Sequence, residues 1–99
     1  MQELARFYKA LGDETRLRLM VLLAQQEPGR AMCVGRLAHE LGVTASAVSQ
    51  HLRVLKDLSL VHAERRSYHL HYFLDSERLA AYQELAREQL GKEFAVRER

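Results

Sequence analysis

Ninety-nine residues suffice for one domain, and 47% hydrophobic with 28% charged residues is a globular balance without room for a membrane-spanning run. The formal net charge of +2 is uneven: residues 44–74 carry four Lys/Arg against two Asp/Glu, while residues 75–99 carry five against six, a mild pointer to a polyanion partner. The opening MQELARFYKALG lacks the basic-then-apolar order of a signal peptide, and the lone Cys33 excludes an internal disulfide framework, so a reducing cytoplasm is the expected setting.

Leu4, Phe7, Tyr8 and Leu11 recur at helical spacing and predict a short first helix ended by Gly12. Asp13 is a good N-cap for a second helix, DETRLRLMVLLAQQ, whose Leu17, Met20, Val21 and Leu23 form a broad apolar face and which EPGR stops. AMCV is short and apolar and is expected to pair as a brief strand. GRLAHELG then makes two helical turns with Leu37, Ala38 and Leu41 inward, and Gly42 suits the left-handed position at the end. Thr44 caps ASAVSQHLRVLKDL, with Val48, Leu52, Leu55 and Leu58 inward. SLVHAERR and SYHLHYFL predict a hairpin turning at Arg66-Ser67, and Asp75-Ser76 offers a cap for a last helix, ERLAAYQELAREQL.

A short helix, a glycine-containing turn, and a second helix exposing Ser, Gln and Arg make a helix-turn-helix over about residues 36–58. The hairpin that follows, about residues 60–74, is its wing. The expected fold is therefore mainly α with a β-hairpin: one winged helix-turn-helix domain over residues 1–99.

At the level of whole segments, FYKALGDETRLRLMVLL, RLAHELGVTASAVSQHLRVLKDLSLV and the wing ending YFLD resemble the ArsR/SmtB family of winged-helix transcriptional repressors. The resemblance covers roughly residues 4 to 90. It implies a homodimer that holds double-stranded operator DNA and is released by an inducer, often a metal or metalloid ion. It also implies that the first and last helices pair across the two-fold axis. Here these carry Leu4, Phe7, Tyr8 and Leu11, and Leu79, Tyr82, Leu85, Ala86 and Leu90; the alternative is that these stripes face the protomer's own core.

Recognition helices of this type enter the major groove by their N-terminal end, so Ser46, Ala47, Ser49, Gln50 and Arg53 are the candidates for base edges. Gln bonds adenine in two places, and small Ser and Ala permit close approach and contact with a thymine methyl. Thr44 and Ser46 stand at the positive helix end and suit a phosphate. Arg65 and Arg66, expected at the wing tip, suit the backbone. His51, beside Gln50, is expected either to touch the backbone or to cap neighbouring packing, with no strong role.

The inducer is less legible. The family's arsenic-type site implies a C-x-C pair where this chain has Cys33-Val34-Gly35, one thiol of two. Its zinc-type site on the last helix falls on Asp75, Glu77, Glu88 and Gly91, which supplies oxygen donors only. Cys33 is either a thiol that senses oxidants or electrophiles, with Arg30 and Arg36 near in sequence, or a small structural cysteine. With the turn at Arg66-Ser67, His62 faces His71 and Glu64 faces His69. Opposed Cβ atoms lie about 5 Å apart, so this polar face is either a two-imidazole metal site or simply solvated.

No Ser/His/Asp arrangement, glycine-rich phosphate loop or paired-carboxylate cleft is legible, which argues against an enzyme. Two functions stay open: a repressor released by an ion or thiol-reactive inducer, and a winged-helix regulator without a small ligand, controlled by a partner or by expression level.

Overall fold

The computed structural model describes residues 1–27 and 29–94, with side chains through residue 91. The order is α1 (Gln2–Leu11), α2 (Glu14–Gln25), α3 (Val34–Leu41), α4 (Ala45–Asp57), β1 (Val61–Arg66), β2 (His69–Leu74) and α5 (Ser76–Phe94). Local chemistry sets the boundaries. The Asp13 carboxylate accepts the Arg16 amide at 2.9 Å, Thr44 Oγ1 accepts the Ala47 amide at 3.1 Å, and the Asp75 carboxylate accepts the Arg78 amide at 2.9 Å. Gly42 closes α3 in the left-handed region at φ 68°. Pro28, within the EPGR stop, lies outside the described residues.

One apolar core joins the helices, with Leu4, Leu19, Leu37, Val48, Leu55 and Leu60 at its centre. In α2 the inward stripe is Leu19, Met20 and Leu23, whereas Leu17 and Val21, expected on that face, are about half exposed. The inward stripe continues through Arg16, which points toward α4, and that leaves Leu17 and Val21 on the outer side.

AMCV is not a strand. Met32 takes a single strand-like bond, its carbonyl accepting the Tyr72 amide at 3.1 Å, while its own amide donates to Gln26 Oε1 at 3.1 Å. A side chain thus replaces the ladder partner, and the sheet among the described residues is the hairpin alone.

The hairpin register also differs from expectation. Val61 pairs with Leu74, His62 with Phe73, Ala63 with Tyr72, Glu64 with His71, Arg65 with Leu70 and Arg66 with His69, so the turn is Ser67-Tyr68 and not Arg66-Ser67. Neither dipeptide carries the Gly or Asn that dictates a tight turn, so the base of the hairpin decides. There the Asp75 amide donates to the Leu60 carbonyl at 2.8 Å and Val61 is buried. Ser67 absorbs the shift at φ 58°. A shift of two residues keeps every side chain on its expected face, but it dissolves the His62–His71 pair.

Candidate nucleic-acid interface

Because Val48, Leu52 and Leu55 bury one face of α4, the opposite face is fixed outward, and Ser46, Ser49, Gln50 and Arg53 are all exposed there. Ala47 is half-buried. Thr44 is exposed while its hydroxyl oxygen caps the helix. The first turn of α4 contains no acidic residue, so the positive end of the helix is uncompensated. Between α4 and the hairpin runs a groove of about 540 Å³ lined by Ser49, Leu52, Arg53, Lys56, Asp57 and Tyr72. Lys56 was not anticipated as part of this surface, although its spacing from Ser49 and Arg53 puts it on the same helical stripe.

The two wing arginines differ. Arg66 donates to Glu64 at 3.2 Å and lies over the Phe73 ring, 5.1 Å from its centroid. Arg65 is exposed and points to the opposite face of the hairpin, which it shares with Leu70 and Tyr72. The tip itself is Tyr68, 94% exposed, which the sequence did not single out.

On the dimer stripes, Leu4, Phe7 and Tyr82 are buried inside the protomer. Tyr8 is exposed, and Leu11, Leu79, Leu85, Ala86 and Leu90 are half-buried against the core edge. The alternative reading therefore applies to the first three residues, and only the remaining six present surface that a partner could cover.

The family's metal sites do not fit this chain. Cys33, at the start of α3, is followed by no second thiol. Asp75 is committed to capping, Glu77 and Glu88 are exposed, and Gly91 offers no donor. Among the described residues no group of three or more His, Cys, Asp and Glu side chains is arranged to hold an ion. Cys33 instead lines a cavity of about 420 Å³ with Gln26, Glu27, Arg30, Met32, Arg36 and His71. His71 Nδ1 is buried without a hydrogen-bond partner. Arg36 is engaged with Glu40 at 3.0 Å and Arg30 with Glu27 at 3.8 Å.

A capped, outward-facing helix preceded by a short helix and a tight turn, and followed by a two-stranded hairpin, defines a winged helix-turn-helix protein. Residues 13–63 match the family described as "Bacterial regulatory protein, arsR family". Over 86 residues, 86% of this chain and 62% of the relative, the sequence is 42% identical to the "Transcriptional repressor SmtB homolog" of Synechocystis sp.. It is 40% identical over 78 residues to the "HTH-type transcriptional regulator CmtR" of Mycobacterium bovis, covering 78% of this chain and 62% of that one. The "ArsR-like Transcriptional Regulator from Rhodococcus sp. RHA1" superposes with a TM-score of 0.79 at 27% identity, covering 94% of this chain and 83% of the other. The chain belongs to the arsR family of bacterial regulatory proteins, which are regulators and not enzymes. It spans 62% of the length of both relatives named.

Proposed function

We propose that this chain acts in the cytoplasm as a homodimeric transcriptional repressor that binds double-stranded operator DNA and leaves it when an inducer arrives. The observation that carries this reading is the exposed row Ser46, Ser49, Gln50 and Arg53 on a capped, acid-free helix end, beside a wing with Arg65 outward. Ala47, Ser49, Gln50 and Arg53 meet base edges, with Ser46 beside them. Thr44 and Ser46 hold a phosphate at the helix end, and Arg65 and Arg66 hold the backbone. The two-fold interface is formed by Tyr8, Leu11, Leu79, Leu85, Ala86 and Leu90, whose partial exposure supports it. Leu4, Phe7 and Tyr82 support that surface from beneath.

The test is a duplex selected from a random library on the wild-type chain, followed by anisotropy titration. Ser49→Ala and Gln50→Ala should each weaken the selected duplex about tenfold and relax its sequence preference. Unchanged affinity and preference in both variants would remove α4 from recognition.

The inducer, on the same reading, is a thiol-reactive species acting at Cys33, which shares its cavity with the unpartnered His71 nitrogen. Peroxide and persulfide, added in turn to the wild-type complex and to Cys33→Ser, should release only the wild type, whereas arsenite, which needs more than one thiolate, should release neither. Retention of DNA by the wild type under every treatment favours the regulator without a small ligand.

A further inference from the structure

Arg16, in the first turn of α2, also meets α1 and α4. Its amide lies under the Asp13 cap of α2. Its guanidinium Nε donates to the carbonyl of Ala10, in the last turn of α1, at 2.6 Å. Its Nη1 stands 3.2 Å from Nδ1 of His51, in the middle of α4. The carbonyls of a helix's final turn lack partners within the helix, so the bond to Ala10 fixes the end of α1. Arginine has donors only, so the second contact is a hydrogen bond when His51 Nδ1 carries the lone pair and Nε2 carries the proton. Both contacts are part-buried, where a charge-assisted bond is little weakened by water. His51 follows Gln50 directly and lies two residues before Arg53.

We propose that Arg16, acting through His51, is a positioning residue for the recognition helix. It holds α4 at the rotation that presents Gln50 and Arg53, and it ties that rotation to α1, one of the two helices placed at the dimer interface. The inference rests on the DNA-binding reading above. The core leucines of α4 keep the helix in place but allow small rolls, because apolar contacts are not directional. A single fixed hydrogen bond on the flank of the helix removes that freedom. Base contacts tolerate little displacement, whereas phosphate contacts made by long side chains follow a small roll.

The experiment measures the affinity of the wild type, Arg16→Met, His51→Ala, His51→Asn and the Arg16→Met/His51→Ala double variant for the selected duplex and for a scrambled one. Folding of each is checked by circular dichroism. Arg16→Met and His51→Ala should each lose about tenfold on the selected duplex and less than about twofold on the scrambled one. His51→Asn, whose amide oxygen offers a neutral acceptor near the place of Nδ1, should restore most of the loss. His51→Ala should cost nothing further in the Arg16→Met background. Should Arg16→Met fail to fold, His51→Ala against His51→Asn decides alone: equal losses in the two overturn the proposal. Equal cost of His51→Ala with and without Arg16 overturns it too, since His51 then acts independently. A wild-type chain that selects no sequence overturns the DNA-binding reading and this one together. A wild type that selects DNA, with His51→Ala unchanged, overturns this one only.

Discussion

Phe7 and Tyr82 stack with ring centroids 4.6 Å apart and planes 6° from parallel, joining α1 to α5 inside the protomer. The Tyr82 hydroxyl also donates to the Leu58 carbonyl at 3.1 Å, so one side chain connects both terminal helices to the end of α4. Tyr82→Phe keeps the stack and leaves the carbonyl unmet, at a cost of about 1 kcal/mol; Tyr82→Ala removes both, at about 3–5 kcal/mol. Urea denaturation at fixed protein concentration reads the difference. Equal losses would mean the hydroxyl contributes nothing.

Two left-handed positions that close helices should respond in opposite directions. Ser59, at φ 60°, ends α4 with the Leu60 amide donating to the Leu55 carbonyl at 3.0 Å and its own amide to Lys56 at 2.9 Å. Gly42 ends α3 through the matching bonds to Ala38 and His39. Ser59→Gly should stabilise by about 1 kcal/mol and Gly42→Ala should destabilise by about 1 kcal/mol. Thermal melts of both variants check the signs.

Gln26 holds the wing to the body by donating its amide Nε2 to the Tyr72 carbonyl at 2.8 Å and accepting the Met32 amide on Oε1 at 3.1 Å. An ionised Glu can accept from Met32 but cannot donate to Tyr72. Gln26→Glu is therefore expected to destabilise by about 1–3 kcal/mol at neutral pH, and by less in acid, where the carboxyl regains a donor. A penalty independent of pH would contradict this role.

Acid should act through Asp13. The hydrogen bond from the Arg16 amide, with the Arg16 guanidinium adding to it and burial opposing, holds the Asp13 carboxyl below its ordinary value. A carboxyl lowered in the folded state contributes stability that is present above its unfolded pKa and is lost as pH falls through the folded one. Stability of the wild type should thus fall from about pH 4 downward by more than that of Asp13→Asn, which caps without titrating. Parallel profiles from pH 6 to pH 2.5 would contradict it.

Much of this architecture was legible because the signals are local. The caps at Asp13 and Thr44, the glycine at position 42 and the inward stripe of α4 are each written within four residues of where they act. The misses share the opposite property. The hairpin register is set at its base by Leu60 and Asp75, fifteen positions apart, and not by its turn dipeptide. Met32 loses its strand to the side chain of Gln26, and His51 acquires its partner from Arg16, 35 positions earlier. The exposed row on α4 was readable because its buried counterpart was readable. The division of Leu4, Phe7 and Tyr82 from the rest of the terminal stripes depends on how α1 meets α5, which periodicity does not encode.

The wing arginines offer a further prediction. Arg66 is held by Glu64 and Phe73, whereas Arg65 is exposed on the other face. Arg65→Ala should lower the slope of log affinity against log salt by about 1, while Arg66→Ala should lower it by less and Glu64→Gln should raise overall affinity. Identical slopes for the two arginine variants would erase the distinction.

The most direct measurement is an anisotropy titration of the wild-type chain on its selected duplex and on a scrambled duplex at one physiological salt concentration, with stoichiometry from the saturated complex. Two protomers per selected duplex are expected, bound at least about a thousandfold more tightly than the scrambled one. Equal affinity for the two duplexes would contradict sequence-specific operator binding, and one protomer per duplex would contradict the two-fold arrangement.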